Sequence, residues 1–269
     1  MKSILLHICD DDALDSRMQV ALDLARAHEA HLTCLQPSVQ FTPVPYAPMA
    51  GHFVSDISIT DMQEAEQAHR ERVESRLRSE DVPWNWQLGL GDPATLLVEQ
   101  SGLADLLVLS QPAGKGAKPN DPLPIAGEVA IHAHAATMVV PAESTSFDSA
   151  KPVVVAWNGS KESSRAIRFA LPMLKMASDV HVVTVDEGKQ LPPLDASTYL
   201  SRHGVSSDLH QLNARKNKTG QVIHDFAREA GASAIVMGAY GHSRLRETLM
   251  GGVTRDQLRG SRLPLIMGH

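Results

Sequence analysis

Short apolar runs alternate along the chain with longer segments in which apolar residues recur every three or four positions. The runs predict buried strands and the longer segments predict amphipathic helices. The predicted strands are Ser3–Cys9, His31–Leu35, Trp84–Leu88, Asp105–Leu109, Thr137–Val140, Pro152–Trp157, Val180–Val185, Asp208–Leu212, Ala234–Met237 and Leu263–Met267. Strands that alternate with helices in this way predict parallel sheets with helices on both faces.

Eight helices are predicted between these strands. They are Leu14–Ala30, Asp61–Arg78, Pro93–Ser101, Ile125–His134, Lys161–Met176, Asp195–His203, Thr219–Ala230 and Gly252–Arg259. The strongly polar Asp61–Arg78 helix is expected to be a long, solvated surface helix. Gln36–Gly51 and Gln111–Pro124 are rich in proline or glycine and are predicted loops, because proline interrupts helices and strand ladders.

The order of elements in the first half of the chain repeats in the second half. Three segments support the repeat, with offsets of 148, 129 and 127 residues: Asp15–Arg17 with Ser163–Arg165, Gly102–Val108 with Gly231–Met237, and Thr137–Val140 with Pro264–Met267. The repeat predicts an α/β protein of two tandem doubly wound domains, residues 1–145 and 150–269. Their boundary is expected within Ala142–Lys151.

The composition agrees with two globular domains. The chain has 269 residues, of which 43% are hydrophobic and 21% charged. No apolar run approaches the roughly 18 residues of a membrane span, and no secretory leader is recognisable at Met1. The two cysteines, Cys9 and Cys34, lack the Cys-x-x-Cys spacing of redox sites. We therefore expect a cytoplasmic protein with reduced thiols.

Charge is divided unevenly between the halves. The net charge of −6 argues against a general nucleic-acid binder, and the 4% aromatic content argues against stacking on single strands. Residues 1–148 hold 9 Lys and Arg against 21 Asp and Glu, whereas residues 149–269 hold 16 against 10. An acidic half and a basic half are expected to do different things, or to attract each other.

The strongest candidate site follows the fourth strand of the second half. Gly238–Arg244 contains two glycines, and nine residues separate Gly241 from Gly251–Thr254, which open a helix. Glycine lets backbone approach a ligand closely, and main-chain N–H groups at a helix start can hold phosphate oxygens. Asn158–Ser160 follows the first strand of that half, beside the same predicted crevice.

These residues resemble the ATP-binding subgroup of the universal stress protein family. The family motif is Gly, two residues, Gly, nine residues, and Gly followed by Ser or Thr, and Gly238, Gly241 and Gly251 match it. Gly252 stands where the family usually has Ser or Thr, and Asn158 stands where it usually has Asp. The resemblance covers essentially the whole chain as a tandem, two-domain member.

The resemblance implies a Rossmann-like fold of the adenine nucleotide alpha hydrolase type that binds ATP, with or without Mg²⁺, in the second domain. Val185 would line the adenine pocket. The candidate nucleotide-binding residues are Asn158, Gly159, Ser160, Val185, Met237, Gly238, Tyr240, Gly241, His242, Ser243, Arg244, Gly251, Gly252, Val253 and Thr254. Family members pair through their fifth strands, so an intramolecular pseudo-dimer is implied, and a further homodimer stays open.

The implied role is stress survival or signalling rather than fast catalysis. The only carboxylate in Gly238–Thr254, which we call the glycine loop, is Glu247, so no general base is assigned and any ATPase activity should be slow. An enzyme related to electron-transfer flavoproteins or adenylate-forming proteins would share the fold class, but no further motif supports it.

The first half lacks the glycine cradle. By the sequence alignment, Leu109 stands opposite Gly238, Pro112 opposite Gly241, and Pro124 and Ile125 opposite Gly251 and Gly252. Asp10–Asp12 replaces Asn158–Ser160 and would repel a polyphosphate. We therefore expect at most one nucleotide per chain.

Other interpretations remain beside this one. The glycines could be turn residues in a residual site of a protein that binds a protein partner, or a small hydrophobic ligand under the proline-rich loop and long helix. No metal site is predicted: Asp10–Asp12 is interpreted as a solvated loop, and His132 and His134 would point apart on a helix.

Overall fold

The ten predicted strands form a single sheet. The computed structural model describes residues 1–38, 56–111, 125–186, 195–214, 218–239 and 252–269, without the side chains of residues 56–60, 62 and 252. The strands are β1 (Ser3–His7), β2 (His31–Ser38), β3 (Trp84–Leu90), β4 (Leu106–Ser110), β5 (Ala136–Val140), β6 (Val153–Ala156), β7 (Val180–Asp186), β8 (Asp208–Asn213), β9 (Ala234–Gly238) and β10 (Leu265–Gly268). Their order is β3-β2-β1-β4-β5-β10-β9-β6-β7-β8.

The eight predicted helices are also confirmed. They are α1 (Leu14–His28), α2 (Asp56–Arg78), α3 (Pro93–Gln100), α4 (Ile125–His132), α5 (Lys161–Leu174), α6 (Asp195–Arg202), α7 (Thr219–Glu229) and α8 (Gly252–Gly260). Local chemistry explains several of the ends. The Asp92 carboxylate accepts from Thr95 N at 2.9 Å at the start of α3, and α1 ends where Glu29 adopts a left-handed φ of 48°. None of the helices in the described ranges has the length and apolarity to cross a bilayer.

The two halves meet at an antiparallel strand pair. Leu265 lies opposite Val139, Ile266 opposite Met138, and Met267 opposite Thr137, whereas the other strand pairs described are parallel. The implied pairing of the two fifth strands is therefore confirmed. Apolar side chains on each face of the sheet form a core to which both halves contribute.

Helix α2 is less solvated than its composition suggested. Val73 and Leu77, four residues apart, are buried at 2% and 0% exposure in the core, so the helix has an apolar stripe that its overall polarity concealed. On its polar side Arg76 Nη1 lies 2.7 Å from Asp15 Oδ1, and Arg72 Nη2 lies 2.7 Å from Asp10 Oδ1. The expectation of a long, solvated surface helix was wrong in this respect, because the buried Val73 and Leu77 dock the helix on the core.

The antiparallel junction gives the true correspondence between the halves. The pseudo-twofold axis that relates the halves passes through the central pair of this ladder, Met138 and Ile266, so these two residues are counterparts. Two residues further along each strand, Val140 corresponds to Gly268. Ser110 is paired with Val140 and Gly238 with Gly268, so Ser110 is the counterpart of Gly238. The sequence alignment, which set Leu109 opposite Gly238, was wrong by one residue because short apolar strands carry too little information to fix a register.

The first strands and helices show the same kind of slip. Ile4 is paired with Leu106 and Val153 with Ala234, which are counterparts under the corrected register. Ile4 therefore corresponds to Val153, and the residues that follow keep this offset. Cys9, not Asp10, stands in the place of Asn158, and Arg17 corresponds to Ala166 rather than to Arg165.

Candidate functional site

The second half has its strand-order reversal between β6 and β9. Val155 of β6 is paired with Val182 of β7 on one side and with Val236 of β9 on the other. The chain runs outward from β6 through β7 to β8 and returns beside β6 as β9. In doubly wound sheets ligands bind at such a point, outside the carboxyl ends of the strands. Asn158 and Gly238 come to this same end.

The turn after β6 is held by its own side chains. Gly159 has a φ of 76°, which favours glycine. The Asn158 Oδ1 atom accepts from Ser160 N at 3.1 Å, and Ser160 Oγ accepts from Ser163 N at 3.1 Å as the N-cap of α5. The start of α5, with the partial positive charge of a helix N-terminus, is therefore fixed beside the crevice.

Gly238 has a packing role that the motif alone did not reveal. A Cβ atom at this position would lie 2.6 Å from Ser163 N and 2.8 Å from Glu162 C, both backbone atoms of α5. A Cβ at Gly268 would lie 2.9 Å from Ala166 N on the same helix. The two glycines let α5 lie directly on the ends of β9 and β10, whether or not a ligand is bound.

The chain is anchored immediately after β9. Ala239 N donates to Gly268 O at 2.9 Å, and His269 Nδ1 lies 2.8 Å from Ala239 O, to which it donates. The Arg165 guanidinium donates in turn to the His269 carbonyl oxygen. The glycine loop thus leaves the sheet from a fixed point, Ala239.

The remaining predicted residues divide into two groups. Val185 is half-buried in β7, two residues beyond Val183, whose carbonyl accepts from Trp157 N at 2.8 Å, so it lies at the same end of the sheet. Met237 is buried, Val253 half-buried and Thr254 only 5% exposed, and Gly252 begins α8. Six predicted residues lie outside the described residues: Tyr240, Gly241, His242, Ser243, Arg244 and Gly251.

The corresponding crevice of the first half is filled by Arg17, which is fully buried. Its Nε donates to His7 O at 2.8 Å and its Nη2 to Cys9 O at 2.7 Å, at and just after the end of β1. Its Nη1 donates to Ser110 Oγ at 2.8 Å, at the end of β4, and to Asp11 Oδ1 at 2.6 Å. A single guanidinium therefore ties together the two strand ends between which the strand order reverses.

The electrostatics of this crevice differ from the sequence expectation. Asp11 is paired with Arg17, and Asp10 with Arg72, so arginine charges balance two of the three carboxylates that were expected to repel a polyphosphate. Burial, followed by the Arg17 charge, lowers the pKa of His7 to about 4 and keeps its imidazole neutral at pH 7. This role of Arg17 was not predicted from the sequence. Its position next to Met18, on the apolar face of α1, could have indicated that the arginine is buried.

A separate groove lies between α7 and α8. It encloses about 570 Å³ and is lined mainly by charged side chains. Several of these charges are paired, since Lys218 Nζ lies 2.9 Å from Asp256 Oδ2 and Arg228 Nη2 lies 3.8 Å from Asp225 Oδ1. No residue of the predicted nucleotide set lines this groove among the described residues.

With this geometry in place, the chain can be compared with known proteins. The Universal stress protein family model matches residues 149–268. These residues form a universal stress protein domain. A curated relative, universal stress protein Slr1230 of Synechocystis sp., is 25% identical over 126 residues. The match covers 45% of this chain and 43% of the relative, so this chain spans less than half of that protein's length.

Solved structures extend the fold to both halves. A universal stress protein from Archaeoglobus fulgidus DSM 4304 has a TM-score of 0.73 at 15% identity, over 98% of this chain and 96% of that one. The first half therefore shares the universal stress protein fold. A universal stress protein from Archaeoglobus fulgidus in complex with dAMP is 25% identical over 43% of this chain and 97% of that one, with a TM-score of 0.33.

Replacing Gly238 should destabilise the fold without any ligand. We expect Gly238→Ala to lower the free energy of unfolding by about 1–3 kcal/mol, because its Cβ would overlap the backbone of α5. Urea unfolding measures this change. Gly102→Ala is the matched control, since no atom lies within 4 Å of its Cβ position, and it should stay within about 0.5 kcal/mol of the wild type. Equal stability of the two variants would contradict the packing role.

Removing the Arg17 side chain should be costly although its counterpart in the second half is alanine. Arg17→Ala removes the donor from four acceptors, which are two backbone carbonyls, the Ser110 hydroxyl and the Asp11 carboxylate. We therefore expect the free energy of unfolding, measured in urea, to fall by about 3 kcal/mol. Arg78→Ala, which removes only an exposed pair with Glu74, should lose about 0.5 kcal/mol. A loss below about 1 kcal/mol for Arg17→Ala would refute the role assigned to it.

Proposed function

We propose that the second half binds one adenine nucleotide, ATP, with or without Mg²⁺, in a stress-response or signalling role. The phosphates would lie on the glycine loop, and the adenine would lie near Val185 and Asn158. The phosphate-binding residues would be Gly238, Gly241, Gly251, Gly252, Val253 and Thr254. Turnover should be slow or absent, because no carboxylate other than Glu247 lies in the glycine loop.

The position of the glycine loop in the fold carries this proposal. The segment with the family spacing leaves the sheet at Gly238, at the strand-order reversal, and the chain resumes as α8 at Gly252. The same point in the first half holds the Arg17 guanidinium, whereas its counterpart in the second half is Ala166, which has only a methyl side chain. Because Gly238 is also needed for packing, Gly241 and Gly251 are the better positions for a binding test.

Calorimetry of the full chain with ATP tests the proposal. We expect one nucleotide per chain. The affinity should fall roughly 10- to 100-fold in Gly241→Val and Gly251→Val, because a side chain that keeps the phosphates from the backbone would cost about 1–3 kcal/mol of binding free energy. ATP with and without Mg²⁺ and dAMP serve as the ligands. Gly102→Ala is the control and should bind like the wild type.

Two results would contradict the proposal. Absence of binding at millimolar ATP would remove the nucleotide function and favour the alternative of an interaction or hydrophobic-ligand protein with a residual site. Two nucleotides per chain would refute the assignment of one working half. Ser110→Gly, which restores glycine at the counterpart of Gly238, should not create a second site because Arg17 still fills the first crevice.

A further inference from the structure

We propose that His181, Asp208 and His210 form a binding site for a divalent transition-metal ion of the Zn²⁺ class. The three side chains come from β7 and β8, and one ligand atom from each lies within 4.8 Å of the others. His181 Nδ1 lies 3.1 Å from His210 Nε2 and 3.9 Å from Asp208 Oδ2. No metal site was predicted from the sequence, so this inference departs from that expectation.

The strand register produces the cluster. His181 lies directly opposite Asp208, and His210 is two residues further along β8 on the same face. Cross-strand and diagonal neighbours on one face are within side-chain reach. Two imidazoles and a carboxylate are therefore brought together by backbone pairing in the sheet rather than by a loop.

The spacing suits a metal ion with tetrahedral coordination. Zn–N bonds of about 2.0–2.1 Å at tetrahedral angles set two ligand nitrogens about 3.3 Å apart, close to the 3.1 Å between the two imidazoles. Against the same spacing of about 3.3 Å, an Asp208 oxygen must move closer by about 0.6 Å to His181 and by up to about 1.5 Å to His210. A rotation of the side chain can supply this movement because Asp208 is 73% exposed. Water would complete the coordination at the open side.

The ring of Phe226, in α7, packs against both imidazoles. Its ring centroid lies 4.6 Å from that of His210 and 5.8 Å from that of His181. An apolar ring packed against both histidines restricts their rotation, and the exposed Asp208 keeps the cluster accessible to solvent. Without metal, one imidazole N–H donates to the other ring; on binding, the donor ring carries its proton on its other nitrogen and both facing nitrogens coordinate.

This site is independent of the nucleotide proposal. His181 is near the start of β7, and Val185 lies four positions further along the strand, at a distance of about 13 Å. The three proposed ligands belong to β7 and β8, and none of them is among the residues proposed to bind the nucleotide. Loss of nucleotide binding would therefore not affect the metal site, and the reverse also holds.

Calorimetric titration of the tag-free full chain with ZnCl₂ after chelator treatment tests the proposal. We expect one Zn²⁺ per chain at this site, with affinity reduced by more than about 100-fold in His210→Phe, which keeps an aromatic ring against Phe226, and by about tenfold in Asp208→Asn. The control is His203→Ala, an exposed histidine outside the cluster, which should bind like the wild type. With Co²⁺ as the probe, the visible absorption of a tetrahedral complex should appear in the wild type and vanish in His210→Phe.

The proposal is overturned if His210→Phe, with an unchanged melting temperature, binds Zn²⁺ as tightly as the wild type. If His210→Phe fails to fold, Asp208→Asn decides, since Asp208 is exposed and its replacement leaves the core intact. Unchanged Zn²⁺ affinity in Asp208→Asn together with unchanged Co²⁺ absorption would then refute the site.

Discussion

Helix α5 lies directly on the ends of β9 and β10 because Gly238 and Gly268 have no Cβ. A Cβ at either position would come within 3 Å of the α5 backbone, closer than carbon atoms can pack. This close approach sets the position of the α5 N-terminus, of the Asn158–Ser160 turn before it, and of the point where the glycine loop leaves the sheet. The geometry proposed to receive a nucleotide therefore depends on the helix–strand distance.

In the first half, larger residues lie between the equivalent helix, α1, and the strand ends. Ser110, Val140 and Arg17 occupy the places of Gly238, Gly268 and Ala166. The space between α1 and the strand ends is filled by a guanidinium with four hydrogen-bond acceptors, and a buried guanidinium is stable only with such partners. The two halves thus share a fold but differ in what fills the reversal point. The uneven charge of the chain accompanies this difference, and at physiological salt its long-range effect is screened beyond about 8 Å.

Much of the fold could be predicted from the sequence because periodicity and turn residues are local signals. Within the described residues, the ten strands, the eight α-helices and the junction between β5 and β10 were anticipated. The register between the halves was not, because Leu109 and Ser110 are neighbours in a strand where a shift of one residue leaves the pattern intact. The embedding of α2 was missed because Val73 and Leu77 lie among charged residues in a helix that is polar overall.

The position of the candidate site stays a prediction, which rests on the agreement between the glycine spacing and the strand order. The packing around it was not foreseen. The role of Gly238 against α5 could not be predicted, because it depends on the distance between a strand and a helix that begins 77 residues earlier. Arg17 likewise contacts Ser110, which is 93 residues away, and His181 meets His210 only through the strand register.

A crystal structure of the full chain grown with excess ATP would test most directly whether one crevice works and the other is closed. This account predicts a nucleotide at the carboxyl ends of β6 and β9, with Arg17 still bonded to the His7 and Cys9 carbonyls between β1 and β4. Two results would contradict it. One is a nucleotide between β1 and β4 with the Arg17 side chain displaced, and the other is a well-ordered crystal, grown with the same ATP, that has no nucleotide in either crevice.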